Sequence, residues 1–206
     1  MIDSCCDCPS CTNNREQDCP KVVLTYGAKD WKHEDEITQG GYSNCYVLNE
    51  QFGVNIPKTA DLKKVPSLMC AGITTFSPIH QANVSEDDVC GILGLGGLGH
   101  MAAKYLKALG CKIVAFDKED KKDFAEKLGI KFIKIDELKE YDLNKSFDFI
   151  ISTIPYEYDI NQFLPFMKYN GNFVIVGLPP YEEADKINVN IKDMILSYPG
   201  VKIWGS

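Results

Sequence analysis

The sequence predicts an α/β protein in which a parallel-sheet domain follows a smaller, irregular all-β segment. Three observations carry that reading. Five of the nine cysteines fall within the first 19 residues. From residue 89 onward, short apolar runs alternate with stretches of helical period, the pattern of βαβ units. A glycine-rich stretch, Gly94 to Gly99, lies where the first of those runs meets the first helix.

Residues 1 to about 20 read as a cysteine-rich loop, and residues 21–57 as short strands broken by turn residues, as at Gly40-Gly41-Tyr42 and then Tyr46-Val47-Leu48. Pro57 and Pro66 bracket a polar connection, Lys58 to Val65, and the domain change is placed there, giving units 1–65 and 66–206. Beyond it the order is strand (Val89 to Leu93), glycine-rich turn, helix (Leu98 to Leu109), strand (Lys112 to Phe116) and helix (about Lys121 to Leu128). Further strands are expected near Lys131 to Ile135, Phe147 to Ser152 and Asn172 to Val176, with a helix near Asp159 to Tyr169 between the last two. Val201 to Ser206 reads as the start of one more strand. Such alternation implies a parallel sheet with right-handed crossovers. No internal repeat or low-complexity tract interrupts it.

A length of 206 residues suits one large domain or a small one joined to a medium one. Hydrophobic residues at 45% and charged residues at 25% exclude collagen-like and disordered readings. With 22 basic against 29 acidic residues the net charge is −7, so no positive field favours nucleic acid or an anionic membrane. Met1 leads into a Cys/Asp-rich stretch instead of a basic and then apolar leader, and no apolar run nears the roughly 18 residues of a membrane helix. A cytosolic protein is expected.

In a reducing compartment, clustered cysteines point to a metal rather than to disulfides. Cys5-x2-Cys8-x2-Cys11-x7-Cys19 offers four thiolates in one short loop, enough to surround a tetrahedral Zn²⁺. An iron–sulfur cluster is the rival, since Cys-x2-Cys-x2-Cys also opens ferredoxins and Pro20 follows Cys19. Seven residues before the last cysteine, instead of three, argue against it. Cys6 falls off the spacing, and Cys45, Cys70, Cys90 and Cys111 stand apart in hydrophobic surroundings.

Gly94, Leu95, Gly96, Gly97, Leu98 and Gly99 link a strand to a helix, the setting that a dinucleotide fingerprint requires. Glycines there permit a tight turn, close approach of backbone to pyrophosphate and close packing of helix on strand, while the helix N-terminus offers free N–H groups. Asp117 ends the next strand 18 positions after Gly99, within reach of adenosine ribose hydroxyls. The plain alternative is an ordinary strand-to-helix turn, with Asp117 a solvated carboxylate beside Lys118 and Glu119.

Taken together, the spaced cysteines, Cys19-Pro20-Lys21-Val22-Val23-Leu24-Thr25-Tyr26, Gly40-Gly41-Tyr42-Ser43, Leu68-Met69-Cys70-Ala71-Gly72-Ile73-Thr74 and Gly94-Leu95-Gly96-Gly97-Leu98-Gly99-His100 resemble zinc-dependent medium-chain alcohol dehydrogenases of the cinnamyl alcohol dehydrogenase branch. The resemblance covers all 206 residues. It implies a Rossmann-type domain preceded by part of an all-β GroES-like catalytic domain whose lobe holds a structural zinc on Cys5, Cys8, Cys11 and Cys19. By the same resemblance Cys70 is one ligand of a catalytic zinc, Thr74 lies near the nicotinamide, and Thr153 in Ile151-Ser152-Thr153 and Gly177 in Val176-Gly177 are further cofactor contacts. The implied activity is hydride transfer between a primary alcohol or aldehyde and NAD(P), with zinc polarising the alcohol oxygen.

The departures from that pattern shape the rest of the expectation. The other catalytic-zinc ligands and the proton-relay hydroxyl are expected upstream of residue 1, and both ends read as cut. His33, His80 and His100 stand outside the family's Gly-His-Glu ligand motif and are expected to be structural or exposed. Asp117 occupies a position where the branch carries small hydroxyl residues, and a carboxylate there repels a 2′-phosphate, so NAD is favoured over NADP. Lys118, Lys121 and Lys122 lie close enough to receive a phosphate, Lys122 at the position of a basic contact in the family. Two outcomes for the chain follow: an active dehydrogenase, or a silent module that binds zinc and dinucleotide without turnover. A homodimer or a complementing second chain is the expected partner beside the small-molecule substrate.

Overall fold

The computed structural model describes residues 1–41, 44–179 and 188–206, which gather into two compact units, Met1–Ala60 and Asp61–Ser206. Tyr42 and Ser43 of the Gly40-Gly41 motif lie outside the described residues.

In the first unit, Cys8 caps a single helical turn, α1 (Pro9–Thr12). Pro9 takes the first position, where a missing N–H costs nothing. A 3-10 turn, Glu16–Asp18, then delivers Cys19. Ile2 donates its N–H to Val23 O (2.9 Å), and Val23 returns one to Asp3 O (2.8 Å), tying the start of the chain to the residues beyond the lobe. A hairpin of β1 (Tyr26–Asp30) antiparallel to β2 (Glu36–Gln39) follows. The strand expected at Tyr46-Val47-Leu48 is absent: the segment is irregular and Val47 is 88% exposed. Alternating apolar residues make a strand only where a neighbour takes up the backbone hydrogen bonds. Here the chain turns instead, the Asn49 side chain accepting the Gln51 N–H (3.1 Å) to cap the 3-10 turn Glu50–Phe52.

The second unit opens with a 3-10 turn (Val65–Leu68) and helix α2 (Ala71–Gln81), and continues as β3 (Val89–Leu93), α3 (Gly97–Ala108), β4 (Lys112–Asp117), α4 (Lys122–Leu128), β5 (Lys131–Lys134), β6 (Phe147–Ser152), β7 (Met167–Ile175), α5 (Ile191–Leu196) and β8 (Lys202–Gly205). Six parallel strands form one sheet in the order β5-β4-β3-β6-β7-β8. The chain runs outward from β3 in one direction, then returns to build β6 on its other side, so the β3/β6 junction is the topological switch point of a doubly wound sheet.

The helix expected over Asp159 to Tyr169 is not formed. Two 3-10 turns, Ile160–Gln162 and Leu164–Phe166, occupy its place, and β7 starts at Met167. Asp159 caps the first turn through the Asn161 N–H (3.0 Å), and Pro165, with no N–H to give, heads the second, so an i to i−4 ladder cannot run through.

Both sheet faces are covered, as a parallel sheet requires. On one face Cys90, Ile92, Ala115 and Phe149 meet Ile79 of α2 and Ala102, Ala103 and Leu106 of α3. On the other, Leu93, Phe116, Phe147 and Ile150 meet Phe163 and Leu164 of the 3-10 turns. Phe116 and Phe147 pack edge-on there with ring centroids 5.8 Å apart. Among the described residues no helix is long and apolar enough to cross a membrane.

Candidate functional site

Chemistry concentrates in two places, one in each unit. In the first, the Sγ atoms of Cys5, Cys8, Cys11 and Cys19 all lie within 4.8 Å of one another. Three of the separations are 3.9 Å (Cys5 to Cys11), 3.5 Å (Cys8 to Cys11) and 3.5 Å (Cys19 to Cys5). These are far too long for disulfides, whose S–S bond is about 2.05 Å. Sulfurs about 2.3 Å from a tetrahedral Zn²⁺ stand about 3.8 Å apart, so this donor set fits that ion. Backbone N–H groups point at the sulfurs, from Cys8 to Cys5 (3.4 Å) and from Lys21 to Cys19 (3.3 Å). The thiols are unequal: the Cys11 N–H holds Cys8 down at about 7, whereas the Asp7 side chain, above all, pushes Cys5 up to about 12. Cys6 is exposed and stands outside the four.

In the second unit, a cleft of about 710 Å³ opens at the switch point. Its floor is the glycine turn after β3. Gly94 has φ +87°, a left-handed conformation that favours glycine. A Cβ on Gly99 would sit 2.0 Å from Gly94 O, so only glycine lets α3 start this close to the strand. Gly96 caps α3 without a side-chain partner, and a Cβ on Gly96 or Gly97 would meet nothing within 4 Å. Open space in front of free helix-terminal N–H groups is what an anionic phosphate needs. Thr153, just past β6, donates its hydroxyl to Gly94 O (2.8 Å) and closes the turn from the other side of the switch point. Gly177, just past β7, is equally constrained, its Cβ falling 2.1 Å from Ile154 O.

Gly94, Gly96, Gly97, Leu98, Thr153 and Gly177 all line this cleft, and so do Cys70, Thr74, Asp117 and Lys118. Leu95 does not. Its side chain is buried in the core, and its N–H contributes by donating to Asp117 Oδ2 (2.8 Å). Gly99 acts through packing, and Lys122 lies at the first position of α4, away from the lining.

Asp117 is 7% exposed and already engaged by its own chain. Besides Leu95 it accepts from Lys121 Nζ (3.0 Å) and from the Glu119 N–H (3.1 Å). Burial alone raises its pKa, but the two N–H groups and Lys121 outweigh it and hold the carboxyl below the ordinary value. Lys121 and Tyr156 also line the cleft, and Lys118 Nζ sits 4.3 Å from the Tyr156 ring centroid. Tyr156 carries no motif that a sequence reading can use; it reaches the cleft only because β3 and β6 are neighbours.

The histidines are engaged locally: His33 Nδ1 with Asp30 Oδ2 (2.8 Å), His80 stacked on Phe76, and His100 Nδ1 with Gly97 O (2.7 Å). Among the described residues the four-cysteine lobe is the one group of three or more potential ligands, and Cys70 belongs to no such group there.

Thr153 permits a direct check. Thr153→Val keeps the shape and removes the donor to Gly94 O and Leu93 O (3.1 Å). An expected loss of about 1–3 kcal/mol, read from urea midpoints, should come with weaker dinucleotide binding, because the turn it closes is the cleft floor.

A parallel sheet of this order with a glycine turn at its switch point defines the dinucleotide-binding class of doubly wound domains. More narrowly, the chain belongs to the zinc-binding dehydrogenase family, whose model matches residues 97–206. A probable cinnamyl alcohol dehydrogenase from Pinus radiata is 37% identical over 185 residues, 87% of this chain and 51% of that protein. Among solved structures, the cinnamyl alcohol dehydrogenase from Helicobacter pylori complexed with NADP(H) superposes with a TM-score of 0.91 at 39% identity, over 100% of this chain and 58% of that one. The one from Sorghum bicolor gives 0.90 at 31% identity, with the same shares covered. The chain therefore spans about half the length of the curated relatives it matches.

Proposed function

We propose that this chain is a zinc-dependent, alcohol dehydrogenase-like oxidoreductase that transfers hydride between a primary alcohol or aldehyde and NAD(P). The observation that carries the reading is one cleft lined at once by the glycine turn, by Asp117 and Thr153, and by Cys70 and Thr74. In this reading Gly96 and Gly97 leave room for the pyrophosphate against the N–H groups of α3, and Thr153 keeps the floor closed. Asp117 faces the adenosine ribose, Thr74 lies at the nicotinamide end, and Gly177 lets the chain after β7 pass close to the bound ring. Cys5, Cys8, Cys11 and Cys19 hold a structural zinc, and Cys70 offers one ligand to a catalytic one. Zinc, when bound, supplies Lewis acidity to the alcohol oxygen, and the dinucleotide supplies the hydride acceptor. Residues 1–65 are then part of a GroES-like catalytic domain and 66–206 a Rossmann-type cofactor domain. A cytosolic setting and a homodimer formed through the cofactor domain belong to the same reading.

The preference for NAD expected from Asp117 presumed a carboxylate free to repel a 2′-phosphate. Lys121 lies 3.0 Å from that carboxylate, and Lys118 stands at the same end of the cleft. We infer that either NAD(H) or NADP(H) is accepted, and that Asp117→Ser tips the balance toward NADP(H).

That Cys70 belongs to no group of three or more potential ligands among the described residues favours a second reading, in which the chain by itself binds zinc and dinucleotide but does not turn over. Metal content per purified chain, NADH and NADPH titrations by fluorescence, and aldehyde-dependent oxidation of either cofactor separate the two. Two zinc ions with turnover establish the enzyme. One zinc with cofactor binding and no turnover establishes the silent module, and failure to bind either nucleotide removes both.

A further inference from the structure

We propose that Ser4 is a positioning residue for the metal in the cysteine lobe: its hydroxyl donates to the Cys11 sulfur and fixes the direction from which that sulfur meets the ion. The inference rests on the zinc reading of the lobe and extends it to a residue outside the four ligands.

Ser4 is fully buried, although it is a small polar residue one step before the first ligand. Its backbone is pinned on one side, where its N–H donates to Asp3 Oδ1 (2.7 Å); Asp3 is in turn held by Lys32 Nζ (2.8 Å). Its Oγ accepts the Cys6 N–H (3.3 Å), and the single hydroxyl proton is left to serve a sulfur. Two are in range, Cys11 Sγ at 3.3 Å and Cys6 Sγ at 3.5 Å. Cys6 Sγ, as a thiol, is supplied with acceptors of its own, Ser4 O at 3.6 Å and Gln51 Oε1 at 3.8 Å. Cys11, as a metal-bound thiolate, carries negative charge and has no proton of its own. A charged acceptor makes the stronger hydrogen bond, so the hydroxyl turns to Cys11. Groups that orient metal ligands in this way change metal affinity when they are removed.

The test uses the full chain. Zinc per wild-type chain is measured first; a protein without zinc overturns both the zinc reading and this inference. With zinc present, Ser4→Ala is expected to weaken the metal about 10–100-fold in competition with a chromogenic chelator. When Co²⁺ replaces zinc, its sulfur-to-cobalt charge-transfer band is expected to shift. Ser4→Thr, which keeps the hydroxyl, restores both. Cys6→Ala, which keeps the backbone N–H and removes the competing sulfur, leaves both unchanged. Asp3→Asn, which perturbs the backbone on the far side, lowers the melting temperature but not the band position. A merely structural Ser4 predicts the opposite: Ser4→Ala melts earlier, yet its chelator competition and cobalt spectrum match wild type. That result overturns the proposal.

Discussion

If the cysteine lobe holds zinc as proposed, a strong chelator should unfold the first unit and spare the second. The lobe from Ile2 to Cys19 holds only a four-residue helix and a three-residue 3-10 turn, too little regular structure to persist alone. The buried residues there are few, among them Ile2, Ser4, Cys11 and Cys19. In small zinc-binding domains, binding free energies of about 10–16 kcal/mol act as folding free energy. A calorimetric scan should therefore show two transitions, of which only one is lost on chelation, and limited proteolysis of the stripped protein should cut first between residues 1 and 25. Cys19→Ser should reproduce the effect, since on that reading it removes one of the four ligands, and a buried one. Protons compete with the metal for the same sulfurs, so zinc should also leave as pH falls. The backbone hydrogen bond from Cys11 favours the Cys8 thiolate, whereas the Asp7 side chain disfavours that of Cys5, so Cys5 is the sulfur from which protons displace the ion most readily. If chelation moved neither transition, the cluster would not hold a structural metal.

The second large effect concerns the glycine turn. Gly99→Ala places a methyl 2.0 Å from Gly94 O, a clash of backbone with side chain that no rotamer relieves. Relief requires α3 to move off β3, whose Ile92 and Leu93 are wholly buried. Overpacking of this kind costs about 1–3 kcal/mol and can cost more; with backbone on one side, the upper end or beyond is expected, as a fall in urea midpoint together with lost dinucleotide binding. Gly96→Ala is the informative partner. Its Cβ meets nothing within 4 Å, so the fold should lose little, about 1 kcal/mol or less. NADH and NADPH affinity should nonetheless drop at least tenfold, because the methyl occupies the approach to the helix N-terminus. Equal nucleotide affinity in Gly96→Ala and wild type would place the pyrophosphate elsewhere.

The contrast between these glycines also shows which parts of the fold are legible in a sequence. The strand Val89–Leu93 is a continuous apolar run, and Phe147–Ser152 is mostly apolar apart from Asp148 and the closing Ser152, because both faces of a parallel sheet are covered; both stand where the pattern puts them. Helix α2 does not announce itself: Gly72, the β-branched Ile73, Thr74 and Thr75, and Pro78 are all poor helix formers. Packing against α3 and the burial of Thr75 and Ile79 hold it. The stretch from Asp159 to Tyr169 fails in the opposite sense, with helical spacing of apolar residues but a proline that forbids the ladder. At the site, the cysteine spacing and the glycine turn can be read because each is local. Lys118 over Tyr156 joins residues brought together from distant sequence, which no short window contains; Lys121 stands only four residues after Asp117, so the sequence shows the neighbourhood but not the side-chain rotamer that makes the pair.

The position of β3 has a consequence for how the protein is made. It is the first strand of the large sheet to leave the ribosome and the one that ends at its centre, between β4 and β6. Val89 finds Asp148, whose carboxylate accepts its N–H, only 59 residues later. Until β6 has been synthesised, one pairing edge of a strand that is almost wholly apolar stays open, the kind of edge that recruits other chains. Slow, non-local closure is intrinsic to such topologies. Refolding should therefore be concentration-sensitive, losing yield to aggregates as protein concentration rises, and a charged substitution within β3 would relieve that only at the expense of the core it has to enter.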